Sequence, residues 1–382
     1  KAKYLVNEIV ANAKVIESLD PVVIFPGSPK YKKVSTYNKD LENVSIDDKM
    51  AKLYEMERKL KECDPRIIEV GGVEYSESKS VTTIMNSKGL KLVQKSNYFV
   101  YVAQVAAKEG EQVKTNYDVF LGNKFEEFDI DSFVKKVAQG ALDQLGGEAC
   151  ESATYKAVLA PGVVRALMSA YINSADAEEV QKKSSLFIGK LDQKVASSKV
   201  TIEDKPLDKT LFARGFDDEG VATYNKAIVK NGVLKTYLYN LTTAAKEGVE
   251  STGNGVKAGG KMGVSPCYLV LKPGKKNQEE LFKQVGDGVY ITDVQGLHAG
   301  LNAQSGNFSL QSSQKYCSLN ISLPQDKQRH LELKKILFTK FIKNAFQKLL
   351  SLIRMNKADN IAIAIQLFRN LLSYMTDRKS SK

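Results

Sequence analysis

The sequence predicts an α+β protein: N-terminal helices with a long-stranded antiparallel sheet, followed by a β-rich C-terminal domain and a basic helical tail. Apolar residues recur with a helical period near the N-terminus and again around residues 45–63. Between residues 67 and 122, apolar and polar residues alternate in long runs that are interrupted only by the turn signals NSKG and KEGE. Beyond these strands, short apolar segments bounded by Gly, Pro or Asn favour further strands and hairpins. The predicted units are residues 1–147, 153–312 and the tail 313–382.

The first predicted domain begins at Lys1 inside a helical pattern and continues through a Pro-interrupted extended stretch, DPVVIFPGSPKYKKVS. The next helix is predicted from SIDDKMAKLYEMERKLKEC, with Ser45 or Asp47 as its N-cap. The alternating segments after it predict an antiparallel meander of long strands. DIDSFVKKVAQGALDQLGG predicts a capped amphipathic helix that ends at Gly146 and Gly147 and closes the domain.

The second predicted domain opens with a short strand, a break at Pro161-Gly162, and a helix whose buried face contains Val163, Leu167 and Ala170. TYNKAIVKNGVLKTYLYNL predicts a hairpin, because its Asn-Gly pair favours a tight type I′ turn. A strand, a short helix and another strand are predicted from PCYLVLKPG, NQEELFKQV and GVYITDVQG.

The positive charge of the chain is concentrated in its tail. The formal net charge is +12, and residues 313–382 contain 14 Lys or Arg against 4 Asp or Glu. Residues 1–312 are therefore close to neutral, so the nucleic-acid interpretation that a basic protein invites applies to the tail alone. LELKKILFTKFIKNAFQKLLSLI predicts an amphipathic helix there, for which packing on a core or partner is favoured over a membrane surface.

Cysteine and histidine usage limits the possible chemistry. The four cysteines are scattered without a CxxC pair, which indicates a reducing compartment and predicts a cytoplasmic protein. The two histidines are far apart, so a zinc site within this chain is not expected. No apolar run reaches the roughly 18 residues that a membrane-spanning helix requires.

One Gly-rich segment, GVKAGGKM at residues 255–262, nearly matches the nucleotide-binding pattern G-x-x-x-x-G-K-[ST]. Met262 stands where that pattern needs a hydroxyl to bind magnesium. The segment is followed by GVSPCYLVL, which predicts a strand instead of the helix whose N-terminus would hold phosphate. We therefore predict a flexible Gly-rich loop without a nucleotide.

Three further positions carry candidate chemistry. Asp217, Asp218 and Glu219 are adjacent carboxylates that suit a hard cation, but neighbouring side chains on an extended chain point to opposite faces. A turn whose carboxylates are solvated or accept N–H bonds is favoured. His298 is a candidate general base, yet no nucleophile motif such as GxSxG accompanies it, so a structural or substrate-lining role is favoured. Cys267 is predicted to be a small buried hydrophobic residue.

Four motifs in a fixed order resemble those of the TldD/PmbA family. They are SSLFIGKLDQKVASSKVTIEDKPL, GFDDEGVAT, NGVLKTYLYNLTTAAKEGVESTGN and YITDVQGLHAGLNAQSGNFSL. The resemblance covers roughly residues 1–312 and is strongest over 155–310. It implies a cytosolic metalloprotease of two related subunits that enclose one active site and cut unstructured peptides, including peptide precursors. The TldD-type subunit has an HExxxH helix that binds zinc, with the Glu as general base. The PmbA type, also called TldE, has the same fold without this motif.

The resemblance implies that this chain is of the PmbA/TldE type. The HExxxH positions fall on the helix after Pro161, where no His or Glu is present. It implies no catalytic residue, metal or cofactor in this chain, zinc in a TldD-type partner of a heterodimer or higher assembly, a peptide substrate and no nucleic acid. The residues at the HExxxH positions are Ala166, Leu167, Met168, Ser169, Ala170 and Tyr171. The substrate-cavity candidates implied by the motifs are His298, Asn302, Ser305, Asp218, Glu219 and Asn254.

The resemblance stops at both ends of the sequence. The family's first segment is expected to precede Lys1, and after GNFSL the family continues with strands and a Gly-rich C-terminus where this chain has its Lys- and Ile-rich tail. That shift in composition predicts a reading-frame change or a replaced terminus. Two alternatives stay open: a basic-tailed protein that binds nucleic acid or a membrane surface, and an independent hydrolase that uses His298.

Overall fold

A computed structural model describes most of the first 317 residues and one later strand. The first helix, α1 (Ala2–Val15), is where the helical pattern predicts it, and none of its residues is buried. From Asp20 up to Thr36 the chain has no regular secondary structure, in agreement with its prolines. The residues described are 2–15, 20–149, 153–302, 304–317 and 328–333.

The first domain is a three-stranded antiparallel sheet with two helices on one face. The strands run in the order β1 (Ile67–Met85), β2 (Lys91–Glu109) and β3 (Gln112–Gly122), which is the predicted meander. Helices α2 (Ile46–Glu62) and α3 (Ile130–Leu142) bury their apolar stripes against alternate residues of β2. The largest fully buried side chains of this core are Met56, Leu60, Phe99, Tyr101, Val105 and Val137.

Side-chain caps begin both helices of this domain. The Ser45 hydroxyl accepts a hydrogen bond from the Asp48 N–H at 3.0 Å, so Ser45 and not Asp47 is the N-cap of α2. Asp129 caps α3 in the same way through the Ser132 N–H at 3.1 Å. Helix α3 ends at Leu142, before the predicted glycines, because a turn of four residues leads to Gly146 in the left-handed region, with φ of +68°.

The β1–β2 hairpin is longer than the rest of its sheet. Each strand has 19 residues, and they pair from Ile67–Ala107 to Met85–Lys91. Strand β3 pairs only with residues 99–109 of β2. The hairpin tip, defined here as residues 80–96, therefore projects beyond β3 and reaches the second domain.

The second domain opens with strand β5 (Ala157–Leu159) and helix α4 (Pro161–Ile172), whose first residue is Pro161, as predicted. Val163 is buried, whereas Leu167 and Ala170 are half-buried. A short helix, α5 (Ala177–Gln181), follows.

A four-stranded antiparallel sheet forms the centre of this domain. Its order is β11 (Leu269–Leu271), β6 (Ile202–Asp204), β7 (Lys226–Lys230) and β8 (Val233–Leu234). The predicted hairpin joins β7 to β8: Asn231 and Gly232 both have positive φ, 51° and 80°, as a type I′ turn requires. The core beside this sheet contains Ile172, Phe187, Ile202, Ile228, Leu234 and Leu238.

A five-stranded mixed sheet lies after it, with β4 (Glu148–Ala149), β14 (Gln328–Leu333), β13 (Leu310–Cys317), β12 (Gly288–Gln295) and β5 in that order. The remaining elements are α6 (Leu241–Glu247), the hairpin of β9 (Gly255–Ala258) and β10 (Lys261–Val264), α7 (Gln278–Val285) and α8 (Leu297–Gly300).

The helical prediction for the tail is wrong wherever the structure describes its backbone. Residues 313–317 belong to β13 and residues 328–333 form β14, and the two strands pair antiparallel from Leu310–Leu333 to Lys315–Gln328. The rest of the predicted tail helix lies outside the described residues. Within the described ranges, none of the helices combines the length and the apolarity that crossing a membrane would require.

Candidate functional site

Three consecutive carboxylates, Asp217–Glu219, form what we call the acidic turn. Asp217 is 2% exposed, and its Oδ1 accepts hydrogen bonds from the N–H groups of Glu219 and Val221, both at 3.0 Å. Its Oδ2 accepts a third bond, at 2.8 Å, from the N–H of Gly255 on β9. Burial raises the pKa of the Asp217 carboxyl, and the three N–H donors oppose that rise.

The other two carboxylates of the acidic turn also bind backbone groups. Asp218 accepts a hydrogen bond from the Lys257 N–H at 2.8 Å and pairs with the guanidinium of Arg214. Glu219 accepts from the Leu241 N–H, at the start of α6, at 2.7 Å. Burial raises the pKa of Glu219 to about 7, and its two acidic neighbours reinforce the effect. The prediction of a turn whose carboxylates accept N–H bonds is therefore confirmed.

A glycine is required where β9 passes the acidic turn. A Cβ atom on Gly255 would lie 2.6 Å from Glu219 Oε2 and 3.0 Å from Asp217 Oδ2. The two carboxylates consequently stand next to each other at the start of β9, and any side chain there would displace them.

The first domain contacts the residues that flank this turn. The Tyr31 hydroxyl donates to the Gly220 carbonyl at 2.8 Å, and the Ser28 hydroxyl accepts from the Ala222 N–H at 2.9 Å. On the hairpin tip, the Gln94 amide donates to the Ala213 carbonyl at 3.0 Å and accepts from the Gly215 N–H at 3.3 Å. Side chains of the first domain therefore bond to backbone groups that precede and follow the acidic turn, while backbone N–H groups of the second domain bond to its carboxylates.

A buried ion pair lies beside this contact. Asp204 is completely buried, and its Oδ2 accepts from Lys226 Nζ at 3.2 Å and from Asn254 Nδ2 at 2.8 Å. Its Oδ1 accepts from the N–H groups of Cys267 and Tyr268, both at 2.9 Å. Burial lowers the pKa of the Lys226 ammonium, and Asp204 opposes the effect. Our sequence analysis missed this pair, because Asp204 and Lys226 are 22 residues apart and the local pattern around neither residue indicates the other.

A cavity of about 310 Å³ separates the hairpin tip from the second domain, and we call it the interdomain cavity. Thr36, Asp217 and Asn254 are buried in its wall, whereas Thr82 and Phe212 are exposed at its rim. The polar side chains of Gln94, Ser96, Arg214, Thr223, Ser265 and Cys267 also line it.

Cys267 differs from the buried hydrophobic residue that its position predicted. It is half-buried, lines the interdomain cavity, and donates a hydrogen bond from Sγ to the Phe212 carbonyl at 3.1 Å. Burial and the negative charge of Asp204 raise the pKa of the Cys267 thiol to about 11. At neutral pH the residue is a protonated thiol, so it lacks the thiolate that a nucleophilic cysteine needs.

The six substrate-cavity candidates fall into two groups. Asn254 lines the interdomain cavity, and Asp218 and Glu219 lie beside it in the acidic turn. His298, Asn302 and Ser305 are exposed in and after α8 and do not line that cavity. In that loop, Asn302 Oδ1 accepts from the Ser305 N–H at 2.9 Å, which stabilises a local turn. The role of all six in binding substrate stays a prediction.

Helix α4 does not have the side chains of a zinc site. Its residues PGVVRALMSAYI include no His, Cys, Asp or Glu. Met168 and Tyr171 instead pack against the core of the second domain, and the Tyr171 hydroxyl donates to the Val195 carbonyl at 2.6 Å. The acidic turn does not fit a metal either, because its carboxylates already accept N–H bonds. Over the residues that the structure describes, no group of three His, Cys, Asp or Glu is arranged to hold a metal ion.

The Gly-rich segment 255–262 forms part of a regular hairpin, so the prediction of a flexible loop is wrong. Gly259 and Gly260, with φ of 55° and 83°, form the tight turn between β9 and β10. Strand β10 begins at Lys261, where a phosphate-binding loop would need the N-terminus of a helix.

Two solved structures share this architecture. One, from Thermotoga maritima and described as a candidate modulator of a DNA gyrase, has a TM-score of 0.76 at 32% identity and covers 85% of this chain and 73% of its own. The structure of TldE from Thermococcus kodakarensis has a TM-score of 0.73 at 21% identity, over 83% of this chain and 72% of its own. The class of protein is thus a two-domain α+β fold with antiparallel sheets, as the sequence predicts.

Sequence relatives give the family. A metalloprotease PmbA homolog of Buchnera aphidicola subsp. Acyrthosiphon pisum is 26% identical over 79% of this chain. A metalloprotease TldD homolog of Buchnera aphidicola subsp. Schizaphis graminum is 26% identical over 72% of it. The central domain of the PmbA/TldA metallopeptidases matches residues 39–145, and their C-terminal domain matches residues 152–320. The chain belongs to the PmbA/TldD metallopeptidase family, as its motifs predict. It spans 66% and 60% of the lengths of the two Buchnera proteins, and 58% of a further relative from Methanocaldococcus jannaschii.

Proposed function

We propose that this chain is a PmbA/TldE-type subunit that works with a TldD-type, zinc-binding subunit to cut unstructured peptides in the cytoplasm. The proposal rests on the side chains of helix α4. Its residues at positions 166–171 provide no metal ligand and no general base, and two of them pack into the core of the domain. A family member with such a helix needs its metal, its histidines and its general base from another subunit.

In this proposal the chain contributes walls of the cavity that holds the peptide. The acidic turn and the segment 251–262 already lie together through the bonds of Asp217 to Gly255 and of Asp218 to Lys257. The segment 296–309, which includes His298, is the third contact that the family motifs predict. Partner, substrate and assembly are all part of the proposal.

Metal analysis and a cleavage assay test this division of labour. We expect the purified chain to contain no stoichiometric zinc and to cleave no unstructured peptide, because it lacks three suitable ligands. Chelator-sensitive cleavage is expected when a TldD-type subunit is added. One zinc ion per chain, together with chelator-sensitive cleavage by this chain alone, would overturn the proposal.

A variant of helix α4 separates a structural from a catalytic role. The Tyr171 hydroxyl bonds the Val195 carbonyl of a neighbouring loop, and Tyr171 occupies the last HExxxH position. Tyr171→Phe removes the hydroxyl and keeps the ring that packs on Phe187. We expect the variant to lose about 1 kcal/mol of stability and to keep the activity of the mixed assembly. Loss of activity in a folded variant would assign Tyr171 a chemical role and contradict the proposal.

A further inference from the structure

We propose that the interdomain cavity binds a neutral peptide unit, that is, one main-chain carbonyl and N–H with an adjacent apolar side chain. The inference rests on the proposed function, which makes an unstructured peptide the ligand class. It adds a place on this chain and the chemical form of the peptide that the place accepts.

One wall of the interdomain cavity suits an apolar side chain. Phe212 is 50% exposed and stacks on Tyr268, with ring centroids 5.9 Å apart and an angle of 13° between the planes. Leu211, Val256 and Pro266 extend this apolar wall. A volume of about 310 Å³ lies at the lower end of the range for small-ligand sites, roughly 300–1,000 Å³, which suits one or two residues of a peptide.

The lining of the cavity also includes Arg214 and Asn254, which have polar atoms that bond to no described residue. The Arg214 guanidinium uses one nitrogen, Nη2, to pair with Asp218, and its other donors bond to no described residue. Asn254 Nδ2 donates to Asp204 and to the Ser265 carbonyl, an arrangement that fixes the orientation of the amide. Asn254 Oδ1 is buried and accepts no hydrogen bond from the described part of the chain.

These groups complement both polar atoms of a peptide unit. The guanidinium donors of Arg214 that bond to no described residue can donate to an acceptor such as a carbonyl oxygen. The buried acceptor of Asn254 calls for a donor such as an amide N–H, since an unsatisfied buried polar atom costs about 1–3 kcal/mol. A peptide unit carries one of each, and its side chain lies next to them.

The charges of the side chains at the interdomain cavity favour a neutral ligand over a charged one. Arg214 contributes one positive charge, whereas Asp217 and Asp218 contribute two negative ones, so the group has a net charge of −1 when both are ionised. A peptide's terminal carboxylate would meet that excess of negative charge. An ammonium ligand would face Arg214 and carboxylate oxygens that already accept N–H bonds. An internal peptide unit avoids both penalties.

A single tryptophan reports directly on the interdomain cavity. The chain contains no tryptophan, so Phe212→Trp places a unique fluorophore at the rim and keeps an aromatic ring beside Tyr268. The isolated chain is titrated with the capped peptide acetyl-Ala-Leu-Gly-Leu-Ala-amide and with its free-acid form. Calorimetry on the unsubstituted chain checks that the tryptophan does not create the binding.

Two neighbouring threonines of β1 provide a matched pair of variants. Thr82 pairs with Gln94 and lines the cavity. Thr83 is the next residue of the strand and is also exposed, but it points to the other face because successive side chains of a strand alternate. In the tryptophan background, Thr82→Phe fills the mouth and is expected to weaken binding of the capped peptide about tenfold or more. Thr83→Phe is expected to leave the dissociation constant within about twofold. The free acid is expected to bind several-fold more weakly than the amide.

Three results would overturn the inference: no saturable fluorescence change, equal weakening by Thr82→Phe and Thr83→Phe, or tighter binding of the free acid. None of these depends on zinc or on a second subunit. Failure of the cleavage assay with a TldD-type subunit and failure of this titration are therefore separate outcomes.

Discussion

Glu219 is expected to make the stability of the chain depend on pH. Its carboxylate is partly buried beside the start of α6 and follows Asp217 and Asp218 in sequence; burial, reinforced by these two acidic neighbours, raises its pKa from 4.5 to about 7. The folded state therefore binds a proton that the unfolded state has already released between about pH 4.5 and 7. Because the folded state holds this proton more tightly, protonation of Glu219 adds to the free energy of unfolding. The added free energy is complete below the pKa of the unfolded state and is lost as the pH rises through the pKa of the folded state.

The size of the effect follows from the pKa values. Each pKa unit corresponds to about 1.4 kcal/mol, so ionising Glu219 in the folded chain costs about 3 kcal/mol before screening. Because the side chain is partly exposed, solvent screens the charge and we expect about 1–2 kcal/mol. Glu219→Gln removes the charge and keeps an acceptor for the Leu241 N–H.

Urea unfolding at pH 5 and pH 8 measures this contribution. We expect Glu219→Gln to be about 1–2 kcal/mol more favourable, relative to the unsubstituted chain, at pH 8 than at pH 5. Other groups titrate in this range, including Asp176, whose pKa burial raises to about 6, so the comparison is the variant's difference at the two pH values. Glu250→Gln, at an exposed position, is the control and should show no such difference. An equal effect of Glu219→Gln at both pH values would refute the coupling.

Three further substitutions, the first with a matched comparison variant, test other features of the structure. Gly232→Ala should cost about 2 kcal/mol or more of unfolding free energy, because its Cβ would lie 2.5 Å from the Ala196 carbonyl oxygen; Gly89→Ala, with positive φ but open space, should cost about 1 kcal/mol. Lys226→Met should destabilise the chain by about 3 kcal/mol, because it leaves the Asp204 carboxylate buried without its cation; a cost below about 1 kcal/mol in the same unfolding assay would contradict this. Lys261→Ala should leave the melting temperature unchanged, and ATP should shift it in neither protein, because Lys261 lies on a hairpin strand; a shift by ATP that the variant loses would show a nucleotide site.

Local patterns predicted the elements of this fold well, whereas contacts between distant segments were not predictable from them. The Asn231-Gly232 turn and the Ser45 cap depend on residues that are adjacent or three apart, so their chemistry is visible in the sequence. The pairing of Asp204 with Lys226 and Asn254 joins residues 22 and 50 positions apart. Nothing in the local pattern of any of the three indicates the other two.

The candidate site shows the same division. The N–H-accepting role of the acidic turn followed from the geometry of adjacent carboxylates, and the structure confirms it. The interdomain cavity depends on the hairpin tip of the first domain, where β1 contributes Thr82 and β2 contributes Gln94, and no motif of the second domain marks that contribution. The incorrect prediction of a flexible loop at 255–262 was based on its glycine content. A two-residue turn with two positive φ angles favours glycine, and so does a mobile segment, so glycine content does not distinguish the two.

The long β1–β2 hairpin has a consequence for how the chain unfolds. Its base belongs to the core of the first domain, and its tip supplies Gln94 to the backbone of residues 213–215. A Cβ on Gly220 would lie 2.6 Å from the Leu90 side chain, which shows how closely the two domains meet there. The two domains join in sequence near residue 150, but we expect the hairpin tip to unfold together with the second domain. Backbone amides at the tip should exchange their hydrogens with solvent at the rate at which the second domain opens, although they belong in sequence to the first.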